Sequence, residues 1–323
     1  MIRLIKLAAL ALAAGFQLIG GAAAQQVFPT RTVRFILPYG PGSASDTTAR
    51  LFAERLSARW GKPVVVENRP GGDGLVSLDA FAGAHDDHTM WFGPAGAFNV
   101  LPYQHNTLPF DPKRDLNPIA SVSEVVLAVS TPVSMNVSSV DDLVAMARAQ
   151  PGKLNAAAAN GISDFLLFGF FKSMGLQVAR VPYRDIMQAP SDLAESRIQV
   201  LSTSLAVVQP LSKAGRIKVL VVTSAQRAPS SPEAPTAAEA GYPALTFESI
   251  GGVFGPRDMP DKLRESIAAD FQKIAEDPII AKRLADTGQI ISVLGPAQFG
   301  ARVQEQRDRL AELARTLGVK PAQ

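Results

Sequence analysis

Residues 35–46 read FILPYGPGSASD. Val33, Phe35, Ile36 and Leu37 form a short run of branched and aromatic apolar residues, the pattern of a buried strand. Pro38 ends it because proline has no N–H to give to a central ladder. Gly40 and Gly42 then allow a sharp turn and a close approach of backbone that a Cβ would forbid. Beyond the turn, Ala49, Phe52, Ala53, Leu56 and Trp60 recur at helical spacing, with Arg50, Glu54 and Ser57 on the other side, and Ser43 or Ser45 is placed to cap the helix. A helix start leaves backbone N–H groups without partners and carries about half a positive charge, so this corner suits a small anion. An ordinary strand-to-helix corner that binds nothing has the same local pattern.

The pattern repeats. Val64, Val65 and Val66 form a second strand that runs into Pro70-Gly71-Gly72-Asp73-Gly74 and a helix carrying Leu75, Leu78 and Ala82. Thr89 to Phe92 is a third strand, closed by Gly93-Pro94-Ala95-Gly96. Strands alternating with helices indicate parallel units whose ligands gather beyond the carboxyl ends of the strands. Residues 102–118 read as a long surface connection, and Val122 to Val129 as one apolar strand crossing into a second domain. There the architecture recurs: a helix capped by Ser138 or Ser139, a strand and turn from Leu154 to Ser163, a helix from Asp164 to Met174, and strands at 178–183, 198–203 and 219–223. Leu263 to Ala275 and Pro296 to Leu317 have helical periodicity.

The first 24 residues form a separate unit. Arg3 and Lys6 precede an apolar run from Leu7 to Ile19, and Ala22-Ala23-Ala24 offers the small residues of a cleavage site. The expectation is export to the periplasm with cleavage near Ala24; the alternative is a retained anchor. Without Arg3 and Lys6 the 32 basic residues fall to 30 against 29 acidic ones, which is no footprint for nucleic acid. With no cysteine, disulfides, thiolate metal sites and cysteine nucleophiles are excluded. A serine hydrolase at Ser43 or Ser45 lacks the G-x-S-x-G elbow, and His85, His88 and His105 all lie in one short span. His85-Asp86-Asp87-His88 has a metal reading and a solvated-turn reading, of which the turn is favoured. Phe98 is open between cleft and core, and Arg302 to Arg315 reads as a solvated helix face.

Eight ordered segments give the chain a resemblance. They are PYGPGSASD at 38–46, PVVVENRPG at 63–71, LPFD at 108–111, QPGKLN at 150–155, VPYR at 181–184, KAGR at 213–216, TSAQR at 223–227 and APTAAEAG at 234–241. From about Phe28 to Gly318 the chain resembles the Bug-type solute receptors of tripartite tricarboxylate transporters. The resemblance implies a type II periplasmic binding protein: two α/β lobes joined by crossing strands, with the ligand between them. The implied division is lobe I at 25–124, lobe II at 125–248, and C-terminal helices at 249–323 returning to lobe I.

It further implies that Tyr39, Gly40, Pro41, Gly42, Ser43, Ala44, Ser45 and Asp46, with Gly93, Pro94, Ala95, Gly96 and Asn99, hold one ligand carboxylate. Asn160, Gly161, Ser163, Asp164, Tyr183, Asp185, Thr203 and Ser204 would set ligand choice from the second lobe. In that lobe the chain departs from the family: Asp164-Phe165 replaces Ser-His, Asp185-Ile186 replaces Gly-Ser, and Thr203 replaces an aspartate that can pair with a ligand ammonium. The implied role is a monomeric receptor, with no cofactor, metal or catalysis, that delivers a small organic carboxylate to membrane transporter subunits. A receptor reporting to a sensor kinase would read the same. Gly42 is expected to bring its N–H against the ligand, and Asp185 to act on the ligand's far end.

Overall fold

A computed structural model of the chain describes residues 28–108, 110–316 and 318–321. The expected signal peptide lies outside them, and among them no helix is long and apolar enough to cross a membrane. Strands β1 (Val33–Leu37), β2 (Val64–Asn68), β3 (Thr89–Pro94) and β4 (Leu116–Val125) build most of one sheet. Strands β5 (Leu127–Pro132), β6 (Asn155–Ala158), β7 (Ala179–Arg180), β8 (Val200–Ser204) and β9 (Ile217–Val222) build a second, before β10 (Ser249–Pro256) and β11 (Gln289–Ile291) return to the first. The orders are β11-β4-β10-β3-β1-β2 and β7-β6-β8-β5-β9. Each sheet keeps a parallel portion, β2-β1-β3 and β7-β6-β8, and takes its crossing strands antiparallel. This is the two-lobed α/β arrangement expected from the sequence.

The apolar stretch 122–129 is not one strand. β4 ends at Val125 in the first sheet and β5 starts at Leu127 in the second, with Val126 alone between them. Val125, Val126 and Leu127 are all buried apolar residues, so composition gives no mark of the break. The return crossing runs beside it, where the Thr223 N–H donates to the Leu127 carbonyl (2.9 Å) and the Phe247 N–H to the Thr223 carbonyl (2.8 Å). β4 also begins earlier than expected, inside the Pro- and Asn-rich connection. Pro118 is tolerated there because the register with β10 slips between Val253 and Phe254, and a bulge is where a ladder can spare a donor.

Long helices cover the sheets: α1 (Ala44–Trp60), α2 (Leu75–Ala82), α3 (Val140–Ala149), α4 (Ile162–Ser173), α5 (Ala189–Ala194), α6 (Leu205–Lys213), α7 (Asp261–Ala275), α8 (Pro278–Asp286) and α9 (Pro296–Thr316). α9 does more than return to the first lobe. Phe299 and Val303 pack in a cluster with Trp91, Phe98 and Phe254, while Leu310 and Ala314 join the cluster of Phe165, Leu220 and Phe247. Phe98 is core: its ring meets Trp91 and Phe254 edge-on at 5.5 and 5.1 Å.

Candidate functional site

A cavity lies where the lobes meet, beyond the carboxyl ends of β1, β3, β6 and β8, and about 40 Å³ of it is reachable by the centre of a water molecule. The first lobe lines it with Tyr39, Ser43, Ala44, Ser45, Pro94 and Ser249, the second with Ala159, Ile162, Ser163, Ile186, Met187, Thr203, Ser204 and Val207, and the crossing with Val125 and Leu127. No side chain in this lining carries a charge.

The first wall is built by the 35–46 stretch. β1 delivers Tyr39 to the rim, and Ser43 caps α1 by accepting the Asp46 N–H. Asp46, buried at the third helical position, turns back into its own turn. It accepts from Gly42 N–H (2.9 Å), from Arg50 Nε (3.0 Å) and from Asn68 Nδ2 (2.9 Å). Burial alone would raise its pKa; the hydrogen bonds of Arg50, Gly42 and Asn68 outweigh that and hold the carboxyl below the usual range. Gly42, at φ +86°, needs its glycine for the turn, but its N–H is taken by Asp46. The backbone donors left over are those of Ala44 and Ser45, the first two helical positions, which no helix can satisfy internally.

The second wall repeats the device with less support. Gly161, at φ +90°, precedes α4 without any side-chain cap, so the N–H groups of Ile162 and Ser163 likewise lack an intrahelical acceptor. Gly161 is obligatory for a second reason: a Cβ would stand 2.8 Å from the Ala97 Cα of the other lobe. Thr203 and Ser204 end β8, and Ser204 opens α6 with no side-chain cap bond.

Buried hydroxyls complete the site. Ser45, Ser163, Thr203, Ser204 and Ser249 are each at most 8% exposed and line the cavity. Among the described residues none of the five side chains has a hydrogen-bond partner within the chain, and none is sealed from the cavity, so each hydroxyl is open to water or a ligand there.

Other residues singled out in the sequence stand elsewhere. Gly40 faces the second lobe, where a Cβ would collide with the Asp185 carboxylate; Asp185 itself caps Met187 (3.1 Å) and is not in the lining. The Asp164 carboxylate is held by Gln104 and Arg180. Tyr183 donates to Asp192 (2.6 Å), and burial, then that carboxylate, push its hydroxyl up to about 12. Asn99 donates to Gln306 (3.2 Å), Asn160 lends its carbonyl to the Tyr39 hydroxyl (3.0 Å), and Gly93, Ala95 and Gly96 support Pro94 from outside the lining, as Pro41 supports the first turn. Burial raises the Tyr39 hydroxyl's pKa, so it stays a donor.

Asp86, Asp87 and His88 do lie within 4.8 Å of one another. Both ring nitrogens are engaged, however: Nε2 accepts the Thr30 N–H (3.0 Å) and Nδ1 meets Asp87 (2.6 Å), while Asp86 accepts the His88 N–H, as in a hydrogen-bonded turn.

Ser249 lies on β10 and Val207 on α6, neither of which is among the elements expected from the sequence. Glycines at 251, 252 and 255 weaken the strand signal, although Gly252 is required where Phe299 and the Ala120 carbonyl occupy the place of a Cβ. The run Leu205, Val208, Leu211 after Ser204 was a usable helix signal for α6.

Known proteins share this architecture. The model of the family described as "Tripartite tricarboxylate transporter family receptor" matches residues 48–319. The "UPF0065 protein in tcbD-tcbE intergenic region" of Pseudomonas sp. (strain P51) is 31% identical over 265 residues, 81% of this chain and 79% of that protein. Protein BugT of Bordetella pertussis (strain Tohama I) is 27% identical over 301 residues, 91% of each. The structure of R. palustris Rpa4515 with adipate superposes with a TM-score of 0.82 at 28% identity, covering 91% of this chain and 99% of that one.

Proposed function

The chain belongs to the tripartite tricarboxylate transporter receptor family, and from that premise we propose that it binds one small organic carboxylate between its lobes and delivers it to the membrane subunits of such a carrier. The observation that carries the reading is the set of five buried hydroxyls without protein partners, beside two helix starts with free N–H groups. A carboxylate accepts such donors well, each charge-assisted bond contributing roughly 1.5–3 kcal/mol. Val125, Leu127, Ile186, Met187 and Val207 receive the apolar body, with a gain of about 25 cal/mol per Å² buried. A ligand ammonium would meet no carboxylate in the lining, so the class is carboxylates without an amine.

The family and its fold neighbours are solute-binding proteins, and the chain is not an enzyme. In this reading the protein works as a monomer in the periplasm after cleavage near Ala24. Its lobe boundaries fall at 124/125 and 248/249, and the lobes close over the ligand like a hinge.

Calorimetric titration of the purified protein with mono- and dicarboxylates, adipate among them, tests the reading when the mixture is then assayed for products. One saturable site per chain and an unchanged compound are expected. Turnover of a bound compound, or silence across the whole panel, overturns it.

A further inference from the structure

On one flank of the cleft, outside the cavity lining, the lobes touch through polar side chains. Gln104 closes the short helix Leu101–Gln104 of the first lobe, and its Nε2 donates to Asp164 Oδ2 at 3.0 Å. Asp164, at the third position of α4, belongs to the second lobe. Its other oxygen pairs with Arg180 Nη2 at 2.6 Å, and the Arg180 guanidinium lies 5.2 Å above the Phe168 ring. The Asp164 side chain is 7% exposed although Arg180 is half exposed, and Gln104 of the first lobe stands against it. The neighbouring Tyr103 and Phe165 rings, 5.8 Å apart, carry the same contact into the apolar interior.

We propose that Gln104 and Asp164 form a latch that biases the lobes toward contact without touching the ligand. Parting the lobes breaks the Gln104 bond and returns the carboxylate to water, so the bond and the regained hydration oppose each other and the latch is a tunable bias. Arg180 stays with Asp164 in either position because both belong to the second lobe. The charged groups facing Asp164 are Arg180 and, from the first lobe, Asp73, whose own neighbour His105 stands 3.1 Å away. Burial pushes the Asp164 carboxyl up to about 6, with Arg180 acting against it and Asp73 with it, as a group sealed by the opposite lobe should behave.

The chain has no cysteine, so a spin label can be attached at a single introduced thiol on each lobe. Val76→Cys and Arg184→Cys, both exposed, report the separation across the cleft mouth by pulsed dipolar spectroscopy without added ligand. Gln104→Leu is expected to lower the ratio of closed to open molecules roughly tenfold, the equivalent of one hydrogen bond to a charged group. In an Asp164→Ala background the same substitution should change the ratio little. Gln104→Glu, which sets carboxylate against carboxylate, should open the cleft further than Gln104→Leu. An unchanged distance distribution in Gln104→Leu overturns the proposal. So does an equal shift with and without Asp164, which would mean that the 101–104 helix acts through packing alone.

Discussion

Two helices start at the cavity with the same pair at their second and third positions, Ser45-Asp46 in α1 and Ser163-Asp164 in α4, and the two aspartates behave oppositely. Asp46 folds back on its own turn, gathers Gly42, Arg50 and Asn68, and titrates below the usual carboxylate range. Asp164 reaches out to Gln104 of the other lobe and titrates above that range, near 6. The helix start of the first wall is therefore fixed within its own lobe, although Tyr39 at its rim reaches Asn160 across the cleft, whereas the Asp164 carboxylate of the second wall takes a partner from the other lobe. A prebuilt wall can take the ligand first, and the wall that depends on closure can discriminate afterwards.

The comparison breaks most visibly at Asp46. Asp46→Ala removes the acceptor of three donors and should cost roughly 2–3 kcal/mol of stability by denaturant unfolding, about 1 kcal/mol for each hydrogen bond lost. Ligand affinity should fall with it, since the Ala44 and Ser45 donors lose their fixed direction. If Asp46→Ala unfolds at the same denaturant concentration as the parent, the wall does not depend on this network.

The hydroxyls come next. Ser45→Ala and Thr203→Val, on opposite walls, should each weaken carboxylate binding tenfold or more, one charge-assisted bond apiece. Neither should lower the melting temperature, because neither hydroxyl has a protein partner to lose. A loss of stability that matches the loss of affinity would assign them to the scaffold instead.

The opposite titrations separate the walls by pH. Asp164 has a folded pKa of about 6 above an ordinary value near 3.8, so its ionisation is penalised in the folded protein above pH 6, and the penalty fades as pH falls toward 4. Between pH 7.5 and 5 the stability of the parent relative to Asp164→Asn should therefore rise by on the order of 1 kcal/mol. Asp46 runs the other way: its depressed pKa supplies stability above the ordinary range that is lost on further acidification. A difference between parent and Asp164→Asn that stays flat over pH 7.5 to 5 would remove the asymmetry. The smallest effect belongs to Arg50. Its side chain is 52% exposed, so Arg50→Ala should cost less than about 1 kcal/mol in the same unfolding assay, and a loss comparable to Asp46→Ala would mean that the ion pair rather than the backbone bond holds the turn.

The first wall was the more legible in the sequence. Ser43 and Ser45 announced themselves as alternative caps of a helix after a strand, because capping is local chemistry read from neighbours in the chain, and Ser43 is the one that caps. The misreading of Gly42 came from a side chain, Asp46, whose direction no spacing reveals. The second wall was read through the resemblance, which brought in Asp164, Asp185 and Tyr183. The orientation of Asp164 and the place of Asp185 follow from Gln104 and Gly40 of the other lobe, and that of Tyr183 from Asp192 on the following helix, none of which spacing alone reveals. The division at Val126 stayed hidden for a related reason: a run buried on both sides of a crossing looks like one strand.

The central claim is that the unpartnered donors of both walls hold a carboxylate. Calorimetric titration of the Ser45→Ala/Ser163→Ala double variant beside the parent, with the carboxylate that the parent binds most tightly, tests it most directly. One hydroxyl is then lost from each wall while the lobes and their contacts keep their side chains. The account predicts a loss of affinity of about a hundredfold or more at an unchanged melting temperature. Full parental affinity in a folded double variant would contradict it.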